Sequence, residues 1–174
     1  MPARQPFSGL AATERGGHGR LVLIYLIRHA HALDGADDDV RPLSGKGRKQ
    51  IRQVGGFFRG NGLLATKEFW HSPLVRARDT AKRLAARLGG GVKLVEVNGL
   101  RPEDDPAVMA KRLKAVRRSV AVVGHEPHLS VLASLLVAGR AQPPLFVVRK
   151  CAVVCLERTR GRWVLRWQVE PDLL

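Results

Sequence analysis

Two stretches of this chain, LVLIYLI at 21–27 and VAVV at 120–123, are unbroken apolar runs of strand-forming residues. A strand wetted on one face alternates apolar and polar residues. An unbroken run needs both faces covered, which is the position of a central strand between two layers of helices. The segments around these runs alternate in the matching way. PLSGKGRKQIRQVGGFF predicts a helix capped by Ser44, with Ile51, Val54, Phe57 and Phe58 at helical spacing. TKEFWHS (66–72) reads as a short strand, and the segment opening at Pro73 as a helix facing inward through Leu74, Ala77, Ala81, Leu84 and Leu88. VKLVEV (92–97) is a further short strand, and PAVMAKRLKAV (106–116) a helix with Val108, Met109, Leu113 and Val116 inward. After the second apolar run, PHLSVLASLLVAG predicts a helix burying Leu129, Leu132, Ala133 and Leu136 and closed by Gly139. The last segment reads as a strand followed by a hairpin turning at Arg160–Gly161. Trp163 and Trp167, four residues apart, are expected on one face of its second strand. The prediction is an α/β fold: a mostly parallel mixed sheet with helices on both faces and a C-terminal antiparallel hairpin.

Residues 1–19, rich in Gly, Arg, Pro and Ala without a period, are expected to be a disordered basic extension, and 20–174 to be one domain. The formal net charge is +15, which favours acidic partners and phosphates without saying anything about the fold. Cys151 and Cys155, if they share a strand, lie about 13 Å apart at about 3.3 Å per residue, too far for a disulfide. No apolar run approaches the roughly 20 residues that cross a bilayer. A cytoplasmic protein with no membrane partner is expected.

In sheets of this kind ligands sit beyond the carboxyl ends of the strands. Both central runs end there in a histidine, LIRHAHA at His29 and VVGHEPH at His125. A third strand ends at HSPLVRARDTA, which places Arg76 in the first turn of the next helix, and Arg28 completes the cluster. Arginines grip a phosphate bidentately, and helix N-termini favour anions. A neutral imidazole beside phosphorus is a nucleophile, and a second one can stabilise charge on the transferred group. The cluster therefore predicts phosphoryl transfer through a phosphohistidine intermediate, with no metal and no cofactor. His31, His71 and His128 flank these motifs and are expected at the pocket rim or on the surface. SGKG lacks the first glycine and the Ser or Thr of a phosphate-binding P-loop. Arg41 either reaches the phosphate or pairs with the acids of ADDD, and Ser44 is a helix cap before it is a phosphate ligand.

LIRHAHA, HSPLVRARDTA and VVGHEPHL together resemble the three motifs of the histidine phosphatase superfamily, the phosphoglycerate mutase-like fold. The short length, DDDVRPLSGKG and PPLFVVRKCAVVCLE resemble its small SixA-type phosphohistidine phosphatases in particular. The resemblance implies a three-layer α/β/α sandwich, with His29 as nucleophile, Arg28 and Arg76 as phosphate ligands and His125 as second catalytic histidine. Two departures stand out. Ala30 occupies a position usually held by glycine. The glutamate that serves larger relatives as general acid has no clear equivalent, Glu103, Asp104 and Glu126 being the nearest acids. A missing acid favours a leaving group that departs readily, as a protonated imidazole does. The expected partner is a phosphorylated protein, with a small phosphate ester such as a sugar, nucleotide or polyphosphate as the alternative, and inorganic phosphate as product. A non-catalytic phosphate- or nucleic-acid-binding module is the rival of another class; the charge suits it, but aromatics at 5% do not.

Overall fold

The computed structural model describes residues 21–174. The expectation of an N-terminal extension over 1–19 lies outside the described residues, as does His18. The chain alternates β1 (Leu23–Arg28), α1 (Gly45–Asn61), β2 (Glu68–His71), α2 (Val75–Arg87), β3 (Lys93–Glu96), α3 (Pro106–Ala115), β4 (Val120–Gly124) and α4 (His128–Ala138). It then forms the hairpin β5 (Val153–Thr159) and β6 (Arg162–Val169) and ends in a 3-10 turn at Pro171–Leu173. The strands make one sheet in the order β3-β2-β4-β1-β5-β6. The β1–β4, β2–β4 and β2–β3 pairs are parallel, and β5 and β6 add antiparallel pairs at one side.

The unbroken apolar runs have the reason expected of them. Leu23, Tyr25 and Ile27 of β1 face a core shared with Ile51, Val54 and Phe58 of α1 and Ala77, Ala81 and Leu84 of α2. Ile24 and Leu26 face the opposite core, with Met109 and Leu113 of α3 and Leu129, Leu132 and Ala133 of α4. The sheet is thus the middle layer of an α/β/α sandwich, and β1 and β4 are buried on both faces. Ser44 caps α1 by accepting the Gly47 N–H at 3.1 Å, and Gly62 and Gly139 close α1 and α4 in left-handed conformation.

Three expectations need correction. Val108 is 62% exposed, while its neighbours Met109 and Ala110 turn inward with Leu113. One residue along a helix is a rotation of about 100°, enough to carry Val108 off the buried stripe. Trp163 and Trp167 do not share a face. Cys155 pairs with Trp167 but Leu156 with Leu165, which leaves Arg166 as an extra residue in β6. A bulge of one residue inverts the alternation beyond it. Trp163 therefore sits in the α3/α4 core and Trp167 packs against the α1/α2 core beside Tyr25 and Phe58. Cys151 lies outside β5 in a left-handed turn, φ 63°, and both cysteines are buried free thiols.

The glycine of SGKG that resembled a phosphate loop has a packing role instead. A Cβ on Gly47 would stand 2.0 Å from the His31 carbonyl oxygen, so the first turn of α1 approaches that backbone as only glycine permits. Gly47→Ala is expected to lower stability by about 1–3 kcal/mol in urea unfolding. Gly56→Ala in the same helix, with open space around the added methyl, is expected to be neutral or to stabilise by up to about 1 kcal/mol.

Candidate active site

The parallel register of β1 with β4 matches Arg28 to Gly124, so the residues that follow, His29 and His125, leave the sheet side by side. The His29 N–H donates to the Gly124 carbonyl at 2.9 Å, which extends the ladder one step past the strands. The imidazole centroids are 5.0 Å apart at 48°. From the other side, the Cys151 N–H reaches the carbonyls of Arg28 and His29 at 3.1 and 3.3 Å. Ala30 is fully buried, its N–H donates to Thr80 Oγ1 at 3.0 Å, and its φ is not positive, so alanine fits where relatives carry glycine.

His29 Nδ1 stands 2.7 Å from the Ala30 carbonyl oxygen. A carbonyl only accepts, so Nδ1 carries the proton and Nε2 keeps its lone pair. Burial pushes the pKa of His29 down from 6.5 to about 3, with the charges of Arg76, Arg28 and Lys150 acting in the same direction. His125 is 1% exposed, and neither ring nitrogen meets a hydrogen-bond partner among the described residues. Burial, then His29 and Arg76, push it down to about 2. Both rings are neutral at ordinary pH.

Arg76, in the first turn of α2, is 4% exposed and donates through Nη1 and Nη2 to the carbonyl and carboxylate of Asp38, at 2.6 and 2.8 Å. Arg28 donates through Nη1 to the Val148 carbonyl at 3.1 Å, while its buried Nε has no partner among the described residues. One N–H in the first turn of each of α1 and α4 is taken within the chain: Ser44 Oγ accepts the Gly47 N–H, and the His125 carbonyl accepts the Leu129 N–H. Among the described residues, no three His, Cys, Asp or Glu side chains converge as a metal site would require.

The structure brings Arg28, His29, Arg76 and His125 to one edge and leaves other candidates elsewhere. Arg41 spends Nε on the Leu33 carbonyl and its terminal nitrogens on Asp38 and Asp34, so it belongs to the acidic loop. The Ser44 hydroxyl donates to the His31 carbonyl while facing the Gly47 N–H and His31 Nδ1, which makes it a cap and a buttress. His31 is partly exposed, but His71 and His128 are buried at 5% and 1%, not at a rim or on the surface. Glu103 is exposed and faces Arg101 at 4.0 Å, and Asp104 accepts the Arg101 N–H at 2.7 Å. Glu126 accepts the Ser130 hydroxyl, and its other oxygen is buried without a partner among the described residues. Burial pushes its carboxyl up, against the pull of Ser130 and Arg28. Sequence reasoning missed Asp38 and Lys150. For Asp38 a signal existed: three successive acids, Asp37–Asp39, stand between two of the motifs in a chain of net charge +15.

Two guanidiniums beside two neutral imidazoles, at the carboxyl edge of a doubly covered sheet, define a phosphoryl-transfer site of the kind that works through a histidine. Residues 24–102 match the family model of the histidine phosphatase superfamily, branch 1. The chain is 28% identical over 153 residues to the phosphohistidine phosphatase SixA of Escherichia coli K12, covering 85% of this chain and 93% of that protein. The solved structure of the protein histidine phosphatase SixA complexed with tungstate superposes with a TM-score of 0.78 at 25% identity, over 87% of this chain and 99% of the other. Phosphoglycerate mutase from Bacillus anthracis shares the fold at a TM-score of 0.64 and 14% identity, over 85% and 92% of the two chains.

A histidine held neutral in the fold but protonated when unfolded makes stability depend on pH. Above the ordinary 6.5 neither state binds the proton. Below it the unfolded chain binds more, so stability falls with pH until the folded values near 3 and 2 are reached. Each histidine contributes a slope of about 1.4 kcal/mol per pH unit in that window. The melting temperature is expected to drop between pH 6.5 and 4.5, and His29→Asn/His125→Asn is expected to show a shallower drop in the same scan.

Proposed function

We propose that the protein is a cytoplasmic phosphatase that releases phosphate from phosphohistidine on a protein partner, by way of a phosphohistidine on its own His29. The observation that carries this reading is the neutral His29 imidazole, its Nδ1 proton tied to the Ala30 carbonyl and its ring against His125. In the first step the Nε2 lone pair forms a bond to phosphorus as the bond from phosphorus to the substrate nitrogen breaks. The bonding pair stays on the departing imidazole. In the second step a water oxygen attacks phosphorus, the bond to Nε2 breaks with its electron pair left on that nitrogen, and the water proton passes to a phosphate oxygen as phosphate leaves. Arg28 and Arg76 balance the charge of the phosphoryl oxygens, and His125 offers a buried ring nitrogen to one of them. A bound dianion favours protonated His125, so the low value of the free site rises when substrate binds.

The acids explain the choice of leaving group. Glu103 and Asp104 are engaged with Arg101, and Glu126 with Ser130, and none makes a hydrogen bond to His29 or His125. A substrate imidazole that arrives protonated needs no donor from the enzyme, whereas an alkoxide does. The relationship to SixA supports the same substrate class, and the two free thiols suit the cytoplasm.

The test is phosphate release in EDTA from a phosphohistidine-bearing protein, an aryl phosphate and an alkyl phosphate, each with wild type and His29→Ala. The expected order is phosphohistidine, then aryl, with alkyl slowest, and the variant silent on all. Alkyl esters as the best substrates would favour a small-phosphoester role, and release by His29→Ala would overturn the mechanism.

A further inference from the structure

We infer that Asp38 is a positioning residue of the phosphate site, holding the Arg76 guanidinium at the angle from which it meets the phosphoryl group. The inference rests on the reading of Arg76 as a phosphate ligand and deepens it. A buried arginine must be paired, and its long stem must lose its freedom before it can recognise anything bidentately. Asp38 does both. Its carbonyl takes Nη1 at 2.6 Å and its Oδ2 takes Nη2 at 2.8 Å, so main chain and side chain together fix the guanidinium plane. No acceptor among the described residues meets Arg76 Nε, and the N–H groups that Asp38 leaves over are the ones free to bind an anion.

Asp38 is held in turn. Its Oδ1 accepts from Arg41 at 2.9 Å. The next residue, Asp39, takes both terminal nitrogens of Arg101 at 2.9 and 2.8 Å, and its carbonyl accepts the Val75 N–H at 3.0 Å. The loop between β1 and α1 is therefore fastened to the first turn of α2, one residue from Arg76. The hydrogen bonds from Arg41 and Arg76 hold the Asp38 carboxyl below the usual range, so it stays charged and is no proton donor to a leaving group. It also acts on His125. Among the groups facing that ring, His29, Arg76 and His128 oppose a proton there, and Asp38 favours one.

The opposite role for the same contacts is competition, in which the carboxylate occupies Arg76 and must yield to phosphate. Calorimetric binding of inorganic phosphate at fixed pH separates the two. Asp38→Ala is expected to raise the phosphate Kd roughly tenfold, the loss of about 1.4 kcal/mol of binding. Asp38→Asn, which keeps an acceptor for Nη2, is expected to restore most of the affinity. Asp38→Ser, too short to reach Nη2, takes the place of the alanine variant if melting shows that the latter is unfolded. Tighter phosphate binding by Asp38→Ala would overturn positioning in favour of competition. An unchanged Kd alongside a weakened Arg76→Ala would overturn the role of Asp38 alone. An unchanged Kd in both would remove Arg76 from the phosphate site and the inference with it.

Discussion

The parallel pairing of β1 with β4 is the constraint on which the site depends. The two strands can be neighbours only because each is apolar throughout and covered by helices on both faces. Their register then fixes where they end. Arg28 faces Gly124, the His29 N–H bonds the Gly124 carbonyl, and the two imidazoles emerge at 5.0 Å. A shift of one residue would turn one of the histidines to the other face of the sheet. The geometry of the candidate site is thus set by the hydrophobic core.

Burial at this edge decides the chemistry as well. Desolvation and neighbouring cations keep both imidazoles neutral, which gives His29 its lone pair without a dedicated base. The positive charge that the proposed reaction needs would come from the arginines, which keep their protons even when buried. A buried arginine calls for a partner. Arg76 has Asp38, and Arg28 has the Val148 carbonyl with the Glu126 charge nearby. The acidic loop and the helix that carries Arg76 are therefore best understood as one unit.

Most of the fold was legible in the sequence because its signals are local. Continuous apolar strands, the Ser44 cap, the closing glycines and the hairpin at Arg160–Gly161 can each be read from a few residues. So could the cluster of Arg28, His29, Arg76 and His125, because strand ends in a parallel sheet converge without further information. What escaped depends on distant partners. The extra residue at Arg166 shows only when β6 is laid against β5, and it moved Trp167 to the other core. Which groups stand beside Arg41 and Ser44 was not legible locally either: Arg41 pairs with Asp38 and Asp34, and the Ser44 hydroxyl donates to the His31 carbonyl. His71 and His128 read as rim or surface residues because they flank the motifs, yet each is buried. Asp38 was hidden because nothing local says which of several neighbouring acids reaches across 38 residues of chain to an arginine.

Trapping the phosphorylated enzyme tests the central claim most directly. The protein is mixed with a phosphohistidine-bearing substrate, quenched within one turnover under alkaline conditions that preserve phosphohistidine, digested and mapped by mass spectrometry. A phosphoryl group on His29 Nε2, absent when His29 is replaced by asparagine, is the predicted result. Phosphate release with no phosphorylated histidine, or with the group on His125, would contradict it.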